Sequence, residues 1–164
     1  MFYCVLVKLL VDDRSGQYRI FPKRLRDAAD RMAAALALPG PTTVSLVFCS
    51  VRTLAQLGKR HFGKGRTTDV IAFPTGFEGL DGMLGEIWIA PDTVARNGLR
   101  FGKGFNAELL FVFAHGLLHL LGKDDDTEAR RNAMFRRQEK LLDACRSDGG
   151  ALPIAIARKA GRRC

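Results

Sequence analysis

Leu109-Leu110-Phe111-Val112-Phe113-Ala114-His115-Gly116-Leu117-Leu118-His119-Leu120-Leu121, wound as an α-helix, is apolar on every face, interrupted only by two histidines and a glycine. Such a helix belongs in a protein interior, because no face of it can be given to water without exposing hydrocarbon. Asn106 and Glu108 stand at its start and Gly122 at its end. His115 and His119 are four residues apart and share one face about one turn from each other, which aims two imidazoles at one point in space. A neutral imidazole offers a nitrogen at roughly 2.0 to 2.1 Å from a zinc-sized ion. Gly122 lets the chain turn back and carries Asp124, Asp125 and Asp126 toward the same point, where a carboxylate can be a third ligand. A lone histidine on an apolar face is more often a hydrogen-bonded core residue than a ligand. Two at this spacing, with a glycine turn and three aspartates behind them, favour a metal, since burying imidazoles and carboxylates uncompensated is costly. The glutamate of the metallopeptidase pattern H-E-x-x-H is replaced by Gly116, which disfavours a peptidase.

The flanking segments supply the cover for this helix. Phe2 to Val11 is β-branched and aromatic and is followed by Asp12, Asp13, Ser15 and Gly16, which predicts a strand and a turn. Pro22 to Leu38 changes to Ala, Leu and Arg at helical spacing, with Pro22 suited to a first turn and Pro39-Gly40-Pro41 as a stop. Val44 to Cys49 predicts a short strand and Arg52 to Phe62 a second helix that stops near Gly63 and Gly65. Asp69 to Phe73 and Leu84 to Ala90 predict two strands, and Glu128 to Ala144 a closing amphipathic helix dense in Arg and Lys. The expected class is α+β: a small mixed sheet covered by helices, with a central buried helix carrying the metal ligands. Residues 1–145 are expected to form a single metal-binding domain. Residues 146–164 are expected to be a mobile basic tail, because Arg146, Arg158, Lys159, Arg162 and Arg163 face only Asp148 there, and Gly149, Gly150 and Pro153 interrupt any regular element.

The 164 residues carry 26 Lys and Arg against 17 Asp and Glu, a net charge of +9, which suits an anionic partner. At this length a domain buries roughly two-thirds of the surface of its unfolded chain, so a metal is expected to serve chemistry rather than folding. Cys4, Cys49, Cys145 and Cys164 form no C-x-x-C pair, which signals neither a thiolate zinc site nor a disulfide framework and points to a reducing cytoplasm. The apolar N-terminus contains Lys8 and lacks a small-residue cleavage site, and the longest uncharged run, Met32 to Val51, is broken by Pro39, Gly40 and Pro41. Neither a secretory signal nor a membrane role is expected.

The run from His115 to Asp125 resembles the H-G-x-L-H-L-x-G-x-D-H signature of the YbeY endoribonucleases, metal-dependent enzymes of ribosomal RNA maturation. Thr68-Asp69-Val70-Ile71-Ala72-Phe73-Pro74 is similar to that family's T-D-V-L-S-F-P segment, and Leu84-Gly85-Glu86-Ile87 to its L-G-D-I strand. Met134 and Glu139 also fall where the family tends to have Met and Glu. The resemblance runs from Leu57 to Leu142, about half the chain. It implies a cytoplasmic, single-strand-specific endoribonuclease acting on ribosomal RNA in maturation or ribosome quality control, with small ribosomal subunit components as further partners. It also implies one zinc ion, with iron or manganese as alternatives, held by His115, His119 and Asp125.

Four positions depart from the family pattern. Asp125 stands where the family has its third metal-binding histidine, and Phe62 where it has an arginine thought to serve catalysis; Gly58 and Ala72 stand where asparagine and serine are usual. A carboxylate in place of an imidazole keeps a usable ligand but lowers the net charge of the centre by one, weakening its effect on bound water and its selectivity for zinc. Phe62 cannot stabilise charge developing on phosphorus. Lys59, Arg60, Lys64 and Arg66 crowd the segment before the T-D-V motif. Arg60 is expected to stand in as the catalytic cation, and Lys59, Lys64 and Arg66 to contact the RNA backbone. The alternatives are a ribosome-assembly RNA-binding factor with weak or no catalysis, which Phe62 and Asp125 favour, and a metal-dependent peptidase, which Gly116 disfavours.

Overall fold

A computed structural model describes residues 7–38, 41–63, 68–75 and 82–161. In chain order the elements are β1 (Val7–Asp13), β2 (Tyr18–Ile20), α1 (Pro22–Ala35), β3 (Thr42–Phe48), α2 (Val51–Phe62), β4 (Val70–Pro74), β5 (Met83–Ile89), α3 (Pro91–Arg100), α4 (Phe105–Leu120), α5 (Glu128–Ala144) and β6 (Ile156–Arg158). The main sheet has the order β1-β3-β5-β4, with β1, β3 and β5 parallel and β4 antiparallel to β5. β2 and β6 form a separate antiparallel pair. This is the expected α+β class with a mixed sheet. A parallel step from β1 to β3 needs a crossover, and α1 supplies it.

Period-two alternation divides the sheet into two faces. Val44, Leu46, Ile87 and Ile89 belong to the large core shared with α1, α4 and α5, while Ile71 joins Cys49, Leu54 and Ala90 in a smaller cluster beneath α2. Because β4 lies at the sheet edge, α2 and α4 flank it from opposite faces, and that edge is where the functional groups gather.

α4 is central: ten of its sixteen residues are buried, on all sides of the helix, and it packs on β4, β5, α3 and α5. Gly116 permits this seat. A Cβ added there would lie 2.8 Å from Ile87 Cγ2 and 3.1 Å from Ile87 Cδ1, so a side chain at this position would force Ile87 or the helix to shift. Among the described residues no helix is long and apolar enough to cross a membrane.

Three observations differ from the expectation. β1 runs on through Asp12 and Asp13, because both pair with β3, opposite Val47 and Phe48; Phe2 to Leu6 lie outside the described residues. α3 was not anticipated; Pro91 at its first turn is its start signal, and its buried stripe is Pro91, Thr93, Val94 and Gly98. The reading of residues 146–164 as a mobile tail is corrected over residues 151–158. Ala155 and Ile156 are 0% and 1% exposed, β6 pairs with β2, and Asn106 Oδ1 accepts hydrogen bonds from the Ala155 and Ile156 N–H groups at 2.7 and 3.0 Å. Two apolar residues in the core outweigh the surrounding charge and glycine. Ile156→Ala should therefore lower unfolding free energy by about 2–5 kcal/mol in a denaturant titration, whereas an undocked segment would give no change.

Candidate metal centre

Two turns of backbone chemistry bring the third acid back to the histidines. At the end of α4 the Gly122 N–H donates to the His119 carbonyl and the Lys123 N–H to the Leu118 carbonyl, each at 3.0 Å, with Gly122 at φ 77°. This Schellman arrangement reverses the chain and satisfies helix carbonyls that would otherwise be orphaned. Asp124 Oδ1 then accepts the Asp125 N–H at 2.8 Å, and Thr127 caps α5 by accepting the Arg130 N–H at 3.2 Å. Asp125 is pinned between the two caps, with its carbonyl also accepting from Arg131 at 3.4 Å. Asp126 is turned outward and pairs with Arg130 at 2.7 Å.

His115 Nε2 and His119 Nε2 are 2.9 Å apart. The Asp125 carboxylate faces both, with Oδ2 at 3.8 Å from His115 Nε2 and Oδ1 at 3.8 Å from His119 Nε2. The edges of a tetrahedron built on zinc bonds of roughly 2.0 to 2.1 Å are about 3.3 Å long, and the separations of 2.9, 3.8 and 3.8 Å straddle that length. The donor set fits a metal ion chemically as well.

Gln138 selects the tautomer of His115. Its Nε2 donates to the Phe111 carbonyl at 3.0 Å, so its Oε1 faces His115 Nδ1 at 3.2 Å and must accept a proton from it. That tautomer leaves His115 Nε2 as a bare lone pair aimed at His119. The gap between the two nitrogens is then bridged either by a His119 Nε2–H donating to that lone pair or by a metal ion. Burial, followed by the neighbouring His115, pushes the pKa of His119 below its ordinary value, against the opposing pull of Asp125 and Asp124. The neutral, ligating form is thereby favoured.

The three groups open into a cavity of about 660 Å³ along the β4 edge. Its walls are the Gly58 and Phe62 face of α2, Thr68 and Asp69 with the β4 residues Val70, Ile71, Ala72 and Pro74, and the acids Asp124 and Asp125. Among the described residues no Lys or Arg lines it. Arg60, expected as the catalytic cation, is not brought there. It follows Gly58 and precedes Phe62 by two residues, about 160° around the helix from each, and it is exposed, as is Lys59. Lys64 and Arg66 lie outside the described residues. Gln138 escaped the sequence reading, although it leaves a signal: it interrupts the buried stripe of Met134, Leu141 and Leu142 on α5, and a polar residue in such a stripe needs a buried partner.

Fold and site together define an α+β chain with a two-histidine, one-carboxylate group able to hold a metal at the edge of its sheet. Comparison with known proteins carries the assignment to a family. The family model described as Endoribonuclease YbeY matches residues 12–146, and the chain belongs to that family. Endoribonuclease YbeY of Bacillus pumilus strain SAFR-032 is 36% identical over 153 residues, covering 82% of this chain and 94% of that protein. Endoribonuclease YbeY of Shouchella clausii strain KSM-K16 is 33% identical over 132 residues, covering 73% and 82%. The solution structure of TM1509 from Thermotoga maritima superimposes with a TM-score of 0.56 at 27% identity, covering 84% of this chain and 87% of that one.

Partners behind a ligand histidine typically govern metal affinity by 10- to 100-fold. Gln138→Leu should weaken zinc binding by about that factor in a chelator competition, while Gln138→Glu, which keeps an acceptor for His115 Nδ1, should largely retain it.

Proposed function

We propose that this chain is a metal-dependent endoribonuclease that cuts single-stranded RNA during ribosomal RNA maturation and ribosome quality control in the cytoplasm. The observation that carries this reading is the His115, His119 and Asp125 group facing a cavity of about 660 Å³. Membership of a family whose relatives are named endoribonucleases and a net charge of +9 support it. Small ribosomal subunit components enter the reading as further partners through the resemblance.

His115, His119 and Asp125 would hold the ion; zinc is the proposed metal, with iron or manganese as alternatives suited to a carboxylate ligand. A bound ion supplies a Lewis acid for a phosphoryl oxygen and lowers the pKa of a coordinated water. Gln138 keeps His115 in the ligating tautomer, and Asp124 orients the loop that presents Asp125. With no Lys or Arg on the described cavity wall, a bound ion would supply the positive charge facing the phosphodiester, and turnover is expected to depend on it. That same lack of a wall cation favours one second reading, an RNA-binding assembly factor with little catalysis.

The test is cleavage of a single-stranded RNA by the full chain. Wild type should cut it, and either a chelator or His119→Ala should lower the rate at least about 10²-fold, the scale of losing one charge-stabilising group. Cleavage that survives both would remove the metal from the reaction, and a wild type that binds RNA without cutting it would favour the assembly-factor reading. Asp125→His should tighten zinc binding by exchanging an oxygen for a third imidazole, whereas Asp125→Ala should weaken it, both read by chelator competition.

A further inference from the structure

Phe62 ends α2 and is 64% exposed. A phenyl ring left in water forgoes the burial that stabilises a core, and the fold makes no visible use of this one. The aromatic contact beside it belongs to its neighbour, His61, whose ring meets Phe73 edge-on with centroids 4.8 Å apart. Phe62 instead lines the cavity, one helical turn beyond Gly58 on the same face. A Cβ added at Gly58 would stand 3.6 Å from Ile71 Cδ1, so this face of α2 lies close over β4. Phe62 thus shares the lining of one cavity with Val70, Ile71, Ala72 and Pro74 and with the His115, His119 and Asp125 group.

The nuclease reading, on which this inference rests, places a phosphodiester at the metal end. The ribose and base attached to it must then lie along the wall. A nucleobase has polar edges and a flat π-face; Thr68 and Asp69 on the described wall can meet the edges, and the exposed Phe62 ring is what the wall offers to the face. We propose that Phe62 is the base-stacking residue of the RNA site, seating the nucleobase beside the scissile phosphate. Every base presents a π-face, so this contact is tolerant of sequence. A duplex keeps its bases stacked on one another and cannot offer one to the ring without unpairing, so Phe62 also selects for single strands.

The experiment measures binding of a short fluorescent single-stranded RNA to the full chain by anisotropy, with the intact oligonucleotide and with a set carrying one abasic nucleotide at successive positions. Loss of one base–aromatic stack typically weakens binding about tenfold. Phe62→Leu should lose about that factor on intact RNA, and Phe62→Trp should keep wild-type affinity. One abasic position should weaken wild type by the same factor and cost Phe62→Leu nothing further. The proposal is overturned if Phe62→Leu binds intact RNA as wild type does, or if it retains the abasic penalty. If wild type cleaves single-stranded RNA in a metal-dependent way while Phe62→Leu binds normally, the stacking role alone falls. If wild type neither binds nor cleaves single-stranded RNA, the nuclease reading falls with it.

Discussion

The close approach of α4 to β5, with Gly116 resting on Ile87, is the contact on which the rest of this molecule depends. It seats a helix that is apolar on every side against the sheet, leaving α3 and α5 to cover its remaining faces. Packed in this way, the helix cannot roll, and the directions of His115 and His119 are fixed by the core rather than by the site. Groups held by rigid elements and supported by a second layer need little reorganisation when a ligand arrives. The Schellman turn at Gly122 and the Asp124 side chain extend the same rigidity to Asp125, and Gln138 extends it to the His115 tautomer.

The distribution of charge separates attraction from chemistry. The chain is strongly basic, yet the described cavity wall carries Asp69, Asp124 and Asp125 and no Lys or Arg. Exposed cations such as Arg136, Arg137 and Lys140 stand on the outer face of α5, where they raise the local concentration of a polyanion without touching the reacting groups.

How far the sequence could be read depends on where each signal lies. The i, i+4 histidines on an apolar helix were legible because a single element specifies both ligands, and the family motifs fixed their order along the chain. Asp125 needed the resemblance to be picked from three adjacent aspartates, since nothing local says which one the turn points inward. Arg60 does not line the described cavity, because closeness in sequence to Phe62 is opposition in space on a helix. α3 was hidden by a stripe of small and weakly apolar residues. β6 was hidden by its length of three residues and its basic surroundings; only its partner β2 and the buried Ala155 and Ile156 show it to be part of the fold.

The central claim is that two imidazoles and one carboxylate from this loop and helix form one metal site. X-ray absorption at the zinc edge of the zinc-loaded 164-residue chain tests it most directly. The account predicts a shell with two imidazole nitrogens and a carboxylate oxygen from the protein at roughly 2.0 to 2.2 Å, with one imidazole lost in His119→Ala. A shell containing cysteine sulfur at roughly 2.3 Å, or one with no imidazole, would contradict it.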